Sequence, residues 1–169
     1  MAIIVEDGSI VPNANSFVSF DDYIVYASSL NFNVNSSSQA ESQLIAAGQF
    51  INIQRNLKGY LVTRDQPMAY PRSGLVLENW SWLHTEIPRQ VIQLQMTKAI
   101  EIFNGFDVIT GDSPSSTSGQ VVKKERVEGA ITIEYETSGD NGTKVSSVSS
   151  SQALLSVLTE NNGLQLVRS

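Results

Sequence analysis

Apolar residues return at helical spacing in four stretches of this chain, and the polar residues between them mark where each helix starts and stops. Phe20, Tyr23, Ile24 and Ala27 make the first stripe. Ser19 with Asp22 reads as a capping box, Asp22 standing where glutamate is usual, and Val18 with Tyr23 occupy the two positions of a hydrophobic staple. Asn31 and Asn33 interrupt the stripe. Ala40, Leu44, Ala47 and Ile51 make the second, behind another capping box of Ser38 and Glu41, and this helix is expected to end near Asn56, ahead of Gly59. Its small residues Ala46, Ala47 and Gly48 would let a neighbouring helix approach closely. The third stripe, Ile92, Met96, Ala99 and Phe103, is broadened by Val91 and Ile100. Pro88 fits its first helical position and Gly105 its stop, and this helix is expected to be the core of the domain. A short fourth pattern holds Leu154, Leu155 and Leu158, closed by Asn162-Gly163.

Strand-like alternation is rarer. Ile3 to Val5 reads as a short extended segment that turns at Gly8 and stops at Pro12. Residues 121–127 and 130–136 read as two strands about a turn at Glu128-Gly129, with Ile131, Ile133 and Tyr135 alternating against Thr132, Glu134 and Glu136. At the C-terminus Leu164, Leu166 and Arg168 alternate with Gln165 and Val167. Residues 110–120 and 137–150 are polar linkers that bury little apolar area. The hairpin, the short helix and the terminal strand have too little core to be stable alone and are expected to dock on something.

The chain therefore predicts a mainly α fold. A small bundle of three main helices plus a short C-terminal helix carries a long irregular loop and an extended β-hairpin arm. The division is a helical core domain over 1–109 with its loop at 57–86, a linker at 110–120, the arm at 121–136, a linker at 137–150, and the C-terminal helix and strand at 151–169.

The irregular stretch 57–86 is long for a compact domain unless it binds something. Pro71 fixes its own φ and pushes Tyr70 towards an extended conformation, while Gly74 permits the next turn. Tyr70, Arg72, Trp80 and Trp82 are candidates for a subunit contact, because aromatic rings and arginine are enriched at protein interfaces. The same rings could instead cover the local core.

Composition narrows the chemistry. A chain of 169 residues with no cysteine and one histidine has no disulfide or thiolate chemistry and little for a metal or a general base. Its net charge of -6 opposes non-specific attraction to phosphate backbones. Lys123, Lys124 and Arg126 form a basic cluster, for which a solvated strand or pairing with Glu134 and Glu136 outweighs phosphate binding. Glu6 and Asp7 could hold a metal, but turn solvation is the better reading. A hydrolase built on His84, Ser81 and Glu86 would rest on proximity in sequence alone. No signal peptide or membrane span is expected. The sequence thus predicts no catalytic residue, no metal and no cofactor.

Several motifs in order carry a family resemblance. Val5-Glu6-Asp7-Gly8 and Ala14-Asn15-Ser16-Phe17-Val18-Ser19, the loop from Gln66 to Gly74, Glu86-Ile87-Pro88, the strand pair within 123–135 and Leu164 to Arg168 resemble the head-tail connector (adaptor) proteins of tailed bacteriophages. The loop is similar to that family's Gln-x-Leu-x-Trp-Pro-Arg-x-Gly pattern, and the strand pair to its Val-Gly-x-Ile-x-Val-x-Tyr pattern. Some of that family carry the label DnaT-like single-stranded-DNA-binding protein. Tyr70 stands where the family usually has tryptophan, and Glu128 precedes Gly129. The resemblance implies a structural virion protein, not an enzyme. It would be assembled in the bacterial cytoplasm into a homo-oligomeric ring, commonly twelvefold in the family, at the head-tail junction. It would bind the portal protein and a tail-side partner, and DNA would pass through its channel without specific binding. Ile131, Ile133, Tyr135, Leu164, Leu166 and Arg168 would belong to an arm that grips portal or neighbour. A single-stranded-DNA-binding module is the alternative, and it needs stacking rings inside a basic groove.

Overall fold

The computed structural model describes residues 2–34, 36–105 and 149–160, together with the backbone of two strands, 121–127 and 131–136. Among these, α1 spans Phe20–Ser29, α2 Ser37–Asn52, α3 Arg89–Phe103 and α4 Ser150–Leu158. Short strands β1 (Tyr60–Leu61) and β2 (Arg72–Ser73) pair antiparallel, as do β3 (Val76–Leu77) with β4 (Trp80–Ser81) and β5 (Val121–Val127) with β6 (Ile131–Glu136). The fold is the mainly helical small domain that the periodicity predicts.

α1 starts as its sequence requires. The Ser19 hydroxyl accepts the Asp22 backbone N–H at 3.2 Å and donates to the Asp22 carboxylate at 2.6 Å. Val18 and Tyr23, the staple positions, are both buried. After the helix, Asn31 takes a left-handed φ of 56°, a conformation asparagine tolerates better than most residues. Phe32 then turns back to meet the Phe103 ring edge-on at 4.7 Å.

α2 differs from expectation at both ends. It begins at Ser37 behind Ser36, and no side chain caps it, so the Ser38–Glu41 box does not form. Three successive serines offer several starts of similar propensity. The helix closes at Asn52, short of Asn56. The Asn52 carboxamide is turned towards the long loop instead, accepting the Ala69 N–H at 2.7 Å. Gly48 serves a close approach, though to more than a helix: a Cβ there would lie 2.8 Å from the Asn15 carbonyl oxygen and 3.2 Å from Gln95 Nε2.

α3 is the centre of the bundle, packing against α1, α2 and α4. Pro88 sits one place earlier than expected, at the cap, and its carbonyl accepts the Val91 N–H at 2.9 Å. The buried face is also rotated. Val91, Leu94, Gln95, Lys98 and Ala99 point inward beside Met96, whereas Ile92, Ile100 and Phe103 are only partly buried. Two polar residues at core positions hid this face from an apolar count. Gln95 is satisfied by three hydrogen bonds to buried partners, and the Lys98 ammonium pairs with Glu101 at 2.8 Å above the Phe50 ring.

α4 docks on α3 through that ion pair. The Ser151 hydroxyl donates to Glu101 Oε2 at 2.7 Å, and Leu158 is fully buried. Its end is stitched to the start of the long loop, where Leu57 bridges Thr159 and the Lys58 N–H donates to the Leu158 carbonyl at 2.9 Å. Asn162-Gly163 lies outside the described residues, and the helix itself stops earlier, at Leu158.

In the arm, backbone pairing runs from Val121 opposite Glu136 to Val127 opposite Ile131 and places Lys124 opposite Glu134, with an irregularity between Val122 and Lys124. The turn at Glu128-Gly129 and the tail residues Leu164, Leu166 and Arg168 lie outside the described residues, as do the side chains of Ile131, Ile133 and Tyr135.

Candidate functional site

The loop 57–86 is held from within by side chains that substitute for regular secondary structure. Gln66 is the first of these. Its Oε1 accepts the Val62 and Thr63 N–H groups at 2.9 and 3.2 Å, and its Nε2 donates to the Met68 and Pro71 carbonyls at 2.8 and 3.1 Å. The peptide between Tyr70 and Pro71 is cis. Gly59, at φ 74°, lets β1 approach β2 so closely that a Cβ would lie 2.8 Å from the Ser73 carbonyl oxygen.

Arg72 is the second clamp. Its Nε donates to the Lys58 carbonyl at 2.8 Å, Nη2 to Gly59 at 2.7 Å and Leu57 at 3.3 Å, and Nη1 to Ala69 at 3.3 Å. A guanidinium can serve four carbonyls because its donors are fixed in a plane. Partial burial lowers its pKa, opposed by Tyr70 and Glu160. Tyr70 is fully buried, edge-on to Phe17 at 6.2 Å. Its phenol has no hydrogen-bond partner among the described residues, and burial pushes its pKa up to about 12 against the pull of Arg72. Tyr70 and Arg72, read from sequence as contact candidates, are therefore directed into the loop's own frame.

The two tryptophans separate. Leu77-Glu78-Asn79-Trp80 is a two-residue hairpin turn, with Glu78 and Asn79 at φ 51° and 68°, the left-handed pair that a tight hairpin favours. Trp82 lies partly buried against the core, and its backbone N–H donates to the Leu75 carbonyl at 3.0 Å, while its indole N–H has no hydrogen-bond partner among the described residues. Trp80, on the short strand, is 76% exposed. Tyr60 at 79%, and Val76, Leu83 and Leu61 to lesser degrees, also face solvent from the loop. Sequence reading did not select Tyr60 as a contact residue. Its place beside the Gly59 turn, on a strand too short to bury both faces, was the available signal.

The N-terminal turn locks the far end of the loop. Glu6, 2% exposed, accepts the N–H groups of Gly8 and Ile10 on Oε1 and of Val11 on Oε2, each at 2.9 Å. Gly8, at φ 104°, packs directly on the Thr85 carbonyl, leaving no room for a Cβ. Glu6 is thus a buried anchor, a stronger role than turn solvation. Asp7 beside it is exposed, and its hydrogen bonds from Ser9 hold its pKa below the usual value. His84 is exposed. Glu86 Oε2 accepts the Leu83 N–H at 3.0 Å, and no hydrogen bond joins His84 to Ser81 or Glu86 among the described residues.

Of the grooves on the surface, two bear on contact with a partner. One, of about 300 Å³, is lined by Leu77, Glu78, Trp80, Trp82, Arg89 and Gln90. The other, of about 380 Å³, lies between α1 and α3 and is lined mainly by apolar side chains with Asp22 at its edge. No helix among the described residues is long and apolar enough to cross a membrane.

Over residues 1–169 the sequence matches the family described as "Putative DnaT-like ssDNA binding protein". No curated protein and no solved structure matches it.

Proposed function

The chain belongs to that family, and we propose that it is a structural virion protein, a head-tail adaptor of a tailed bacteriophage. In this reading copies of the chain assemble as a ring that binds the portal protein on one side and a tail-side partner on the other. The ring leaves a channel through which DNA passes, and it performs no catalytic step. The order of motifs along the whole chain supports the reading. The observation that carries it is the contrast within the loop: Gln66 and Arg72 hold its backbone rigidly while Tyr60 and Trp80 stand more than three-quarters exposed. Large exposed rings on a stiff frame suit a protein contact, because little conformational entropy is lost when they are covered. Electron microscopy of the purified chain, alone and mixed with portal, is expected to show rings. A chain that stays monomeric and ignores portal would refute the proposal.

Single-stranded-DNA binding is the second reading, favoured by the family description and by exposed rings that lie near cations, Trp80 with Arg89 in one groove. It requires an affinity for single strands that falls steeply with salt. A flat titration at low salt would remove it.

A further inference from the structure

Two surfaces of the molecule carry complementary features and share no lining residue. The first is the hairpin tip, where exposed Trp80 stands with Arg89 and Glu78 on the rim of one groove. The second is the groove between α1 and α3, where Val18, Val25, Tyr26, Ile92 and Met96 form an apolar trough with Asp22 at its edge. Val25, which lines the trough, is 71% exposed and so adds apolar surface to it. The trough is braced, since the Tyr26 hydroxyl and Thr97 Oγ1 lie 3.0 Å apart across α1 and α3.

Charge along the chain follows the same division. Residues 1–54 contain five carboxylates and no lysine or arginine, whereas residues 55–89 contain five cations against Asp65, Glu78 and Glu86. Of these cations Arg55, Arg64 and Arg89 are exposed, and Arg89 has no ion pair among the described residues.

From this juxtaposition we infer that the Trp80 hairpin of one copy seats in the α1–α3 groove of a second copy, with Arg89 brought to Asp22. The inference rests on the assembly reading above and names the surfaces that perform it. A contact between two different patches is heterologous, the kind that propagates from copy to copy and closes into a ring when the rotation allows. A tryptophan entering an apolar groove is the anchor such contacts favour, and the flanking charge pair sets orientation. Glu78 shares the Trp80 rim, so the orientation is the one that presents Arg89, and not Glu78, to Asp22.

The test measures the concentration at which assembly is half complete, by sedimentation or mass photometry, for the full chain and five variants. Trp80→Ala and Val25→Glu are each expected to raise that concentration by at least about tenfold. Asp22→Arg and Arg89→Asp are each expected to weaken assembly, and the double variant to restore it, a rescue that misfolding cannot imitate. Wild-type assembly that survives Trp80→Ala and Val25→Glu unchanged would overturn this contact while leaving the assembly reading intact. So would a charge swap without rescue. A wild-type chain that never assembles, alone or with portal, would overturn both.

Discussion

Gln95, in the middle of α3, accepts the backbone N–H of Phe17 through Oε1 at 2.8 Å. Its Nε2 donates to the Ser16 hydroxyl at 2.9 Å and the Leu44 carbonyl at 2.8 Å, so one side chain joins the N-terminal segment, α2 and α3. All of this is buried. Gln95→Leu keeps most of the volume but leaves those partners without water, and each orphaned group costs roughly 1–3 kcal/mol. The expected loss is about 3 kcal/mol in urea unfolding, against less than about 0.5 kcal/mol for Gln93→Leu on the exposed face. A loss for Gln95→Leu below about 1 kcal/mol would mean that the three segments are held by apolar packing alone.

Arg72 and Trp80 lie in the same loop and should respond oppositely to substitution. Lysine in place of Arg72 keeps the charge but cannot fork across the carbonyls of Leu57, Lys58, Gly59 and Ala69. Arg72→Lys is expected to cost about 2 kcal/mol and to open the loop to limited proteolysis. Trp80→Ala should change monomer stability by less than about 0.5 kcal/mol, because the ring is mostly in water already. If the two variants unfold at the same denaturant midpoint, Trp80 is part of the frame and not presented for contact.

The helices were legible because their stripes, the Ser19 cap and the Gly48 approach are local signals. So was the shaped loop, since Pro71 and Gly74 announce it. What periodicity could not give was the direction of individual side chains. Tyr70 and Trp80 are alike by residue type, yet one is fully buried and the other largely exposed, because the loop's path is set by long-range bonds from Gln66, Asn52 and Arg72. Gln95 and Lys98 were invisible for a related reason. A polar residue enters a core only when distant partners satisfy it, and Phe17, Ser16 and Leu44 are not adjacent in sequence.

Glu101 holds α4 to the bundle while compensating a buried cation. It pairs with Lys98, which is 2% exposed, and accepts the Ser151 hydroxyl. Glu101→Ala would remove the carboxylate that pairs with this buried ammonium, a change that usually costs about 3–5 kcal/mol. Ser151→Ala removes one charge-assisted hydrogen bond and should cost about 1–2 kcal/mol. Lys98→Met combined with Glu101→Leu is expected to recover most of the Glu101→Ala loss. Comparable losses for Ser151→Ala and Glu101→Ala would show that α4 docking, not charge compensation, is what Glu101 supplies.

Tyr23 and Tyr70 predict how the fold fails in base. Burial pushes both phenols up to about 12, whereas in the unfolded chain they ionise near the ordinary value of about 10. Above that value the unfolded state loses protons that the folded state keeps, so it binds fewer, and stability falls as pH rises. The contribution is fully present below about pH 10 and disappears as pH climbs through about 12. Urea midpoints measured between about pH 8 and 12 should therefore drop steeply in the upper half of that range. Neither hydroxyl has a hydrogen-bond partner among the described residues. Tyr23→Phe and Tyr70→Phe should consequently be neutral or slightly stabilising near pH 7, and each should flatten part of the alkaline slope. A slope unchanged in the double variant would assign the alkaline loss to other groups.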